Sequence, residues 1–141
     1  MSKAAIVYWS ATGNTEAMAE AVLEGAKAAG IDAALITAGD FDAAQMDEYD
    51  AVAFGCPAMG AEVLEEDEFE PMFTGCEGKL AEKHIGLFGS YGWGDGQWMR
   101  DWQQRCTEDG AVLVADPVVA NEDPDDDAIA ACKALGSALG A

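Results

Sequence analysis

Residues 10 to 15, Ser-Ala-Thr-Gly-Asn-Thr, follow the apolar run AAIVYW and open a long stretch with helical spacing. Four side chains with hydrogen-bonding heads, Ser10, Thr12, Asn14 and Thr15, surround Gly13. A helix start presents unpaired backbone N–H groups and the positive end of the helix dipole. Hydroxyl and amide donors added there, with a glycine that lets the backbone wrap closely, make a cradle for a phosphate. A plain helix cap would need one hydroxyl only. No lysine or arginine occurs between Lys3 and Lys27, so the cradle works without a cation. It is neither the G-x-x-x-x-G-K-[ST] nucleotide loop nor the G-x-G-x-x-G dinucleotide turn.

Two further stretches place apolar side chains where a core does not need them. In GCPAMGAE (55–62), Pro57 fixes a turn, Gly60 permits unusual dihedrals, and Met59 offers a soft, polarisable side chain at the loop tip. In SYGWGDG (90–96), Trp93 sits between Gly92 and Gly94, with little local support, and reads as presented outward. Met59 and Trp93 on facing loops suit a flat aromatic ring held between them. With the phosphate cradle, the ligand reads as a planar ring on a phosphorylated tail.

The elements that must position these loops alternate from end to end. Short apolar runs at 4–9, 33–37, 51–55, 84–90 and 111–116 suit strands buried on both faces of a parallel sheet. Between them the spacing predicts helices at 14–29, 42–48, 66–75, 95–109 and 124–139, the second being short. The first carries its buried stripe at Met18, Ala21, Val22, Gly25 and Ala29 and stops at Gly30. The fourth turns Trp98, Met99, Trp102 and Cys106 to the core. The last begins at NEDPDDD, with Asp123 as cap, Pro124 at the first position and aspartates against the positive helix end; this acid run reads as a helix start and not as a metal site. Five βα alternations imply one α/β domain over 1–141, a doubly wound open sheet with helices on both faces. Ligands of such sheets bind beyond the carboxyl ends of the strands, at the topological switch point. The three unusual loops come after strands one, three and four.

Composition narrows the rest. The chain has 141 residues and a formal net charge of −20, which excludes nucleic acid as a partner. No apolar run nears the roughly 20 residues of a membrane helix, and MSKAAIVYW has no signal-peptide layout; a cytoplasmic location is therefore the expectation. Cys56, Cys76, Cys106 and Cys132 form no C-x-x-C pair and His84 is the only histidine, so no zinc or iron–sulfur site is expected and the thiols read as free and buried. No G-x-S-x-G elbow occurs. A receiver domain would need acids where Tyr8-Trp9-Ser10 and Gly55-Cys56-Pro57 stand, and a small phosphatase would need a cysteine and an arginine in the first loop.

The three loops resemble those of the flavodoxins. SATGNT resembles that family's [ST]-x-T-G-x-T phosphate loop, and YWSATGNTE, GCPAMG and GSYGWGDGQWM look like its short-chain, clostridial-type branch. The similarity runs over the whole chain, and no extra segment of about twenty residues interrupts strand five. The resemblance implies five parallel strands in the order 2-1-3-4-5 and non-covalent FMN as cofactor. It implies that Ser10, Thr12, Asn14 and Thr15 hold the phosphate with the backbone of Ala11 and Gly13, and that Pro57, Ala58 and Met59 support the inner ring face. Trp93 would stack on the outer face, with Ser90, Tyr91, Gly92 and Gly94 lining the ring's other side. The Gly60–Ala61 peptide would turn over on reduction and Glu62 would accept a bond from ring N3–H. Where relatives often carry glycine, aspartate or asparagine, this chain has Ala61, which makes the turn costlier.

The same resemblance implies a low-potential one-electron carrier, shuttling between semiquinone and hydroquinone, and not an enzyme. The alternative is a small FMN-dependent reductase of the quinone-reductase type, transferring hydride. Carboxylates at Glu62, Glu65, Glu66, Asp67 and Asp95 would oppose the anionic reduced ring. One at ~10 Å, with an effective dielectric of ~20–80, contributes ~0.4–1.7 kcal/mol, or roughly 20–70 mV for one electron. Redox enzymes with basic docking surfaces, such as ferredoxin-dependent oxidoreductases and flavodoxin reductases, would be the partners of a monomeric carrier.

Overall fold

The computed structural model describes residues 3–11, 13–59, 63–92, 94 and 96–140. Strands β1 (Lys3–Tyr8), β2 (Asp32–Thr37), β3 (Ala51–Gly55) and β4 (His84–Tyr91) alternate with helices α1 (Asn14–Ala28), α2 (Ala43–Met46), α3 (Phe69–Cys76) and α4 (Gln97–Glu108). After α4 come β5 (Val112–Leu113), β6 (Val118–Asn121) and α5 (Asp126–Ala138). Among the described residues these strands pair only in parallel, in the order β2-β1-β3-β4-β5, with β6 also on β4. The doubly wound sheet and its expected order are therefore present, and the switch point lies between β1 and β3.

The fifth strand differs from expectation. The apolar stretch 111–116 pairs only through Val112 and Leu113, opposite His84 and Ile85, and pairing resumes at Val118 opposite Phe88. Pro117 stands between the pieces and has no N–H for a ladder bond, which fits an interrupted strand at a sheet edge.

Side chains alternate along the central strands and feed two cores. Ala5, Val7, Val52, Phe54, Ile85 and Leu87 face α3 and α4, which contribute Phe69, Phe73, Trp98, Trp102 and Cys106. Ala4, Ile6, Ala51 and Ala53 face α1 and α5, which contribute Met18, Val22, Ala26, Cys132 and Leu135. The stripe expected on α4 is buried in full. On α1, Ala29 is exposed and Ala26 is buried in its place: α1 ends at Ala28, and the capping turn to Gly30, at φ 82°, swings Ala29 outward. The cap of α5 is Asp125, whose carboxylate accepts from Ala128 N–H at 2.8 Å, and not Asp123. All four cysteines are free and buried, and burial pushes the thiols of Cys56, Cys106 and Cys132 up to about 12 and that of Cys76 to about 11.

Candidate functional site

Three loops leave the carboxyl ends of β1, β3 and β4, and the sheet order forces them together. The first runs from Trp9 into α1. Gly13 caps that helix at φ 95°, a left-handed conformation that a side chain would strain. Ser10 Oγ accepts from the N–H of Gly13 at 3.1 Å and of Glu16 at 3.3 Å, which folds the loop over the helix end. The N–H groups of Asn14 and Thr15 belong to the first helical turn and have no acceptor within the helix. Thr15 is almost fully buried, and its Oγ1 lies 2.9 Å from Ser90 Oγ on β4. This bond spans β1–α1 and β4 directly.

The second loop continues β3. Cys56 N–H donates to Phe88 O and Ala58 N–H to Ser90 O, so the ladder to β4 extends past the end of the strand. Met59 and Val63 then pair antiparallel, through Met59 N–H to Val63 O at 2.9 Å and Val63 N–H to Met59 O at 3.1 Å. The third loop leaves Tyr91, whose carbonyl accepts from Glu122 N–H at 2.7 Å in the loop after β6.

Between the loops lies a cleft of about 520 Å³. Ser10, Ala11, Asn14 and Thr15 form one wall, Pro57, Ala58 and Met59 another, and Ser90, Tyr91 and Gly92 the third. The structure thus brings together ten of the seventeen residues singled out in the sequence. Gly13 faces a neighbouring cleft of about 410 Å³ beside Tyr8, Trp9 and Glu68, and Gly94 lies off both walls. Thr12, Gly60, Ala61, Glu62 and Trp93 lie outside the described residues, as does Asp95.

Two wall residues, Glu122 and Asp123, escape the sequence reading. The run NEDPDDD reads as a helix start because its aspartates match the helix dipole. Its place after the last strand, at the same sheet end as the other loops, is the signal that could have found them. Among the described wall residues there is no lysine or arginine. The site therefore offers amide and hydroxyl donors, apolar surface and two carboxylates. Beside it, Tyr8 OH donates to Glu16 at 3.0 Å; burial first, and then this carboxylate, raises the phenol above its ordinary pKa.

Of the acids expected near the ring, Glu66 and Asp67 are exposed, whereas Glu65 turns inward and is 5 % exposed. Its carboxylate accepts from the N–H groups of Asp67 at 2.7 Å, Glu68 at 2.7 Å and Phe69 at 2.8 Å. Burial alone would raise its pKa; the three N–H bonds outweigh that and hold it below the ordinary carboxyl value. Glu65 is thus the true cap of α3, set four residues before the helix.

Comparison with known proteins fits this geometry. The family model described as flavodoxin matches residues 6–136. The chain is 47 % identical over 133 residues to a flavodoxin of Megasphaera elsdenii, covering 94 % of this chain and 95 % of that protein. It is 46 % identical over 121 residues to a flavodoxin of Clostridium beijerinckii, covering 86 % and 88 %. The solution structure of two-electron reduced Megasphaera elsdenii flavodoxin superposes with a TM-score of 0.89 at 45 % identity, covering 98 % of this chain and 99 % of that one.

Proposed function

Because the chain belongs to the flavodoxin family, whose members bind FMN and carry electrons between redox partners, we propose that the cleft at the switch point is its FMN site and that the three loops divide the cofactor among them. The observation that carries this reading is the meeting, in one cleft of about 520 Å³, of the start of α1, where the N–H groups of Asn14 and Thr15 have no acceptor within the helix, with the apolar surface of Pro57, Ala58 and Met59. That volume lies within the usual range for small-ligand sites. Free N–H groups at the positive end of α1, with Ser10, Asn14 and Thr15 beside them, fit a phosphate that has no lysine to meet. The donor set and the apolar wall therefore fit the group.

In this reading Ser10, Thr12, Asn14 and Thr15 hold the phosphate with the backbone of Ala11 and Gly13. The Thr15–Ser90 bond fixes the distance between the phosphate end and the ring end. Met59, on Pro57 and Ala58, packs on one face of the ring and Trp93 covers the other, excluding water. Ser90, Tyr91, Gly92 and Gly94 line the remaining edge, and Glu62 accepts the N–H of ring N3. The Gly60–Ala61 peptide would supply a hydrogen-bonding group to the ring edge. FMN itself supplies one-electron chemistry when bound, and the protein sets its potential. No general base or nucleophile is required, and the family's members are electron-transfer proteins, not enzymes. A hydride-transferring reductase is not favoured by relatives of this kind.

The net charge of −20 supports docking on basic surfaces of redox enzymes, with the chain acting as a cytoplasmic monomer. Among the described residues no helix is long and apolar enough to cross a membrane. Stepwise reduction followed by absorption and electron paramagnetic resonance tests the reading. The expected result is a yellow protein, one FMN per chain, reduced in two separated one-electron steps, with electron transfer to a basic partner slowing as salt rises. A colourless protein that takes up no FMN overturns the site. A single two-electron step keeps the site and removes the one-electron role.

A further inference from the structure

Glu65 stands where a carboxylate would tune a nearby ring by charge, but its surroundings give it a different task. It closes the β3–α3 loop through its backbone and its side chain together. Its N–H donates to Cys56 Sγ at 3.3 Å, across the base of the loop, and its carbonyl accepts from Glu70 N–H at 2.8 Å. Its carboxylate takes the three N–H groups of residues 67 to 69. Cys56 in turn is tied to the helix under the other ring-facing loop, because its carbonyl accepts from Trp98 Nε1 at 3.2 Å. The loop is then a two-rung ladder, with the Met59–Val63 pair as the upper rung and Cys56–Glu65 as the lower. Residues 60–62, proposed above to meet the ring, join Met59 to Val63 in sequence and lie outside the described residues.

Resting on that reading of the site, we infer that Glu65 is a positioning residue for the ring-facing loop: it acts on the cofactor through the geometry of its hydrogen bonds and not through its charge. Glu65 is not part of the cleft wall, and both its carboxylate oxygens are directed to N–H groups at the start of α3, so what it offers the loop is a fixed geometry. Its bonds fix where the ladder starts and hence how Met59 and the tip stand. Both oxygens are used as acceptors, so neither a shorter acid nor an amide can replace them. An aspartate falls short by about one C–C bond, ~1.5 Å, and a glutamine turns one N–H donor toward Asp67 N–H.

The test compares Glu65→Asp, Glu65→Gln and Glu65→Ala with Glu66→Gln, an exposed neighbour that reports charge alone. For each, FMN affinity of the apoprotein and both one-electron potentials are measured. In the wild type FMN must bind; if it does not, the proposed function fails and this inference with it. Given binding, Glu65→Asp is expected to weaken FMN about tenfold and to change the gap between the two potentials by about 59 mV, a tenfold change in equilibrium, with Glu65→Ala at least as far. Glu65→Gln falls between the wild type and Glu65→Ala. Glu66→Gln leaves affinity unchanged and moves only the second potential, less so at high salt. If Glu65→Asp matches the wild type while Glu65→Gln copies Glu66→Gln, Glu65 acts by charge and the inference is overturned. It is equally overturned if the Glu65 variants lower only the melting temperature. Should Glu65→Ala not fold, hydrogen exchange of the wild-type apoprotein decides the matter. The amides of Met59, Val63 and Glu65 should be protected together with those of residues 67 to 69, and unprotected Met59 and Val63 amides beside a protected helix start overturn it.

Discussion

The two helical layers of this sheet are fastened by opposite means. On one face α1 and α5 meet backbone to backbone. A methyl group added at Gly136 would lie 2.0 Å from Val22 O, and one at Gly25 would lie 2.0 Å from Lys133 O. Ser137 Oγ also donates to Gly25 O at 3.1 Å. On the other face α3 and α4 are held apart by rings, Phe69, Phe73 and Trp102 in edge-to-face contact, and are latched by charge. Arg105 donates to both oxygens of Glu70 at 2.7 and 2.9 Å and to both of Glu77 at 2.6 and 2.9 Å, and its guanidinium lies 4.9 Å from the Phe73 ring centre. The close layer includes α1, whose first turn lines one wall of the cleft. The latched layer includes the two helices that follow the other two cleft loops. In the proposed function, rigid backbone contact would support the part that holds an anion, and side chains that can readjust would support the part that holds a ring.

Gly136→Ala is the largest test of that contrast. Alanine in a helix interior is normally better than glycine by about 1 kcal/mol. Here α1 and α5 would have to separate, and overpacking of this kind costs about 3 kcal/mol or more. Denaturant unfolding of the apoprotein should show that loss. FMN affinity should fall with it, because α1 moves. Arg105→Met is the counterpart on the other face. It removes a cation shared by two partly exposed carboxylates, worth about 1–2 kcal/mol after allowance for solvent. It should leave FMN affinity close to that of the wild type. A smaller loss for Gly136→Ala than for Arg105→Met would invert the comparison.

Legibility in sequence does not divide along the two layers. Apolar runs with buried neighbours on both sides place β1, β3 and β4 to within a residue or so, and the 3.6-residue stripes of α1 and α4 mark their buried faces. Glycine at 25 and 136 can be read as small, but not as touching, because contact between α1 and α5 joins residues over a hundred positions apart. Edge features are less legible. The break in the last strand depends on which part of β4 each piece meets, and any of several aspartates in DPDDD can cap a helix, so tertiary packing selects Asp125. The lining of the cleft is readable where residue type and sheet position agree, as at Ser10, Ala11, Asn14 and Thr15 and at Ser90 to Gly92. It fails at Glu122 and Asp123, where helix capping is a sufficient local reason for the acids. At Glu65 the acid is visible in the sequence but its inward turn is not, because only the folded loop brings three N–H groups to it.

The latch makes the second face sensitive to pH in a way the first is not. Glu70 and Glu77 are held below the ordinary carboxyl range by their bonds to Arg105, so the stability they contribute is present above that range and is lost as acid protonates them. Asp109 has the opposite sign. The neighbouring Glu77 carboxylate, then burial, raise it from an ordinary 3.8 to about 6. Between those values the folded chain binds a proton that the unfolded chain does not, so stability falls as pH rises toward 6 and is level above it. Asp109→Asn offers an amide donor beside Glu77 and removes the titration. Its expected effect is the smallest of the three, about 0.5 kcal/mol of added stability at pH 7 for a partly exposed pair, vanishing below pH 4. Melting temperatures of the two apoproteins across pH 4 to 8 measure it. Curves that run parallel throughout would mean that Asp109 shares no proton with Glu77, and that the latch consists of Arg105 and its two glutamates alone.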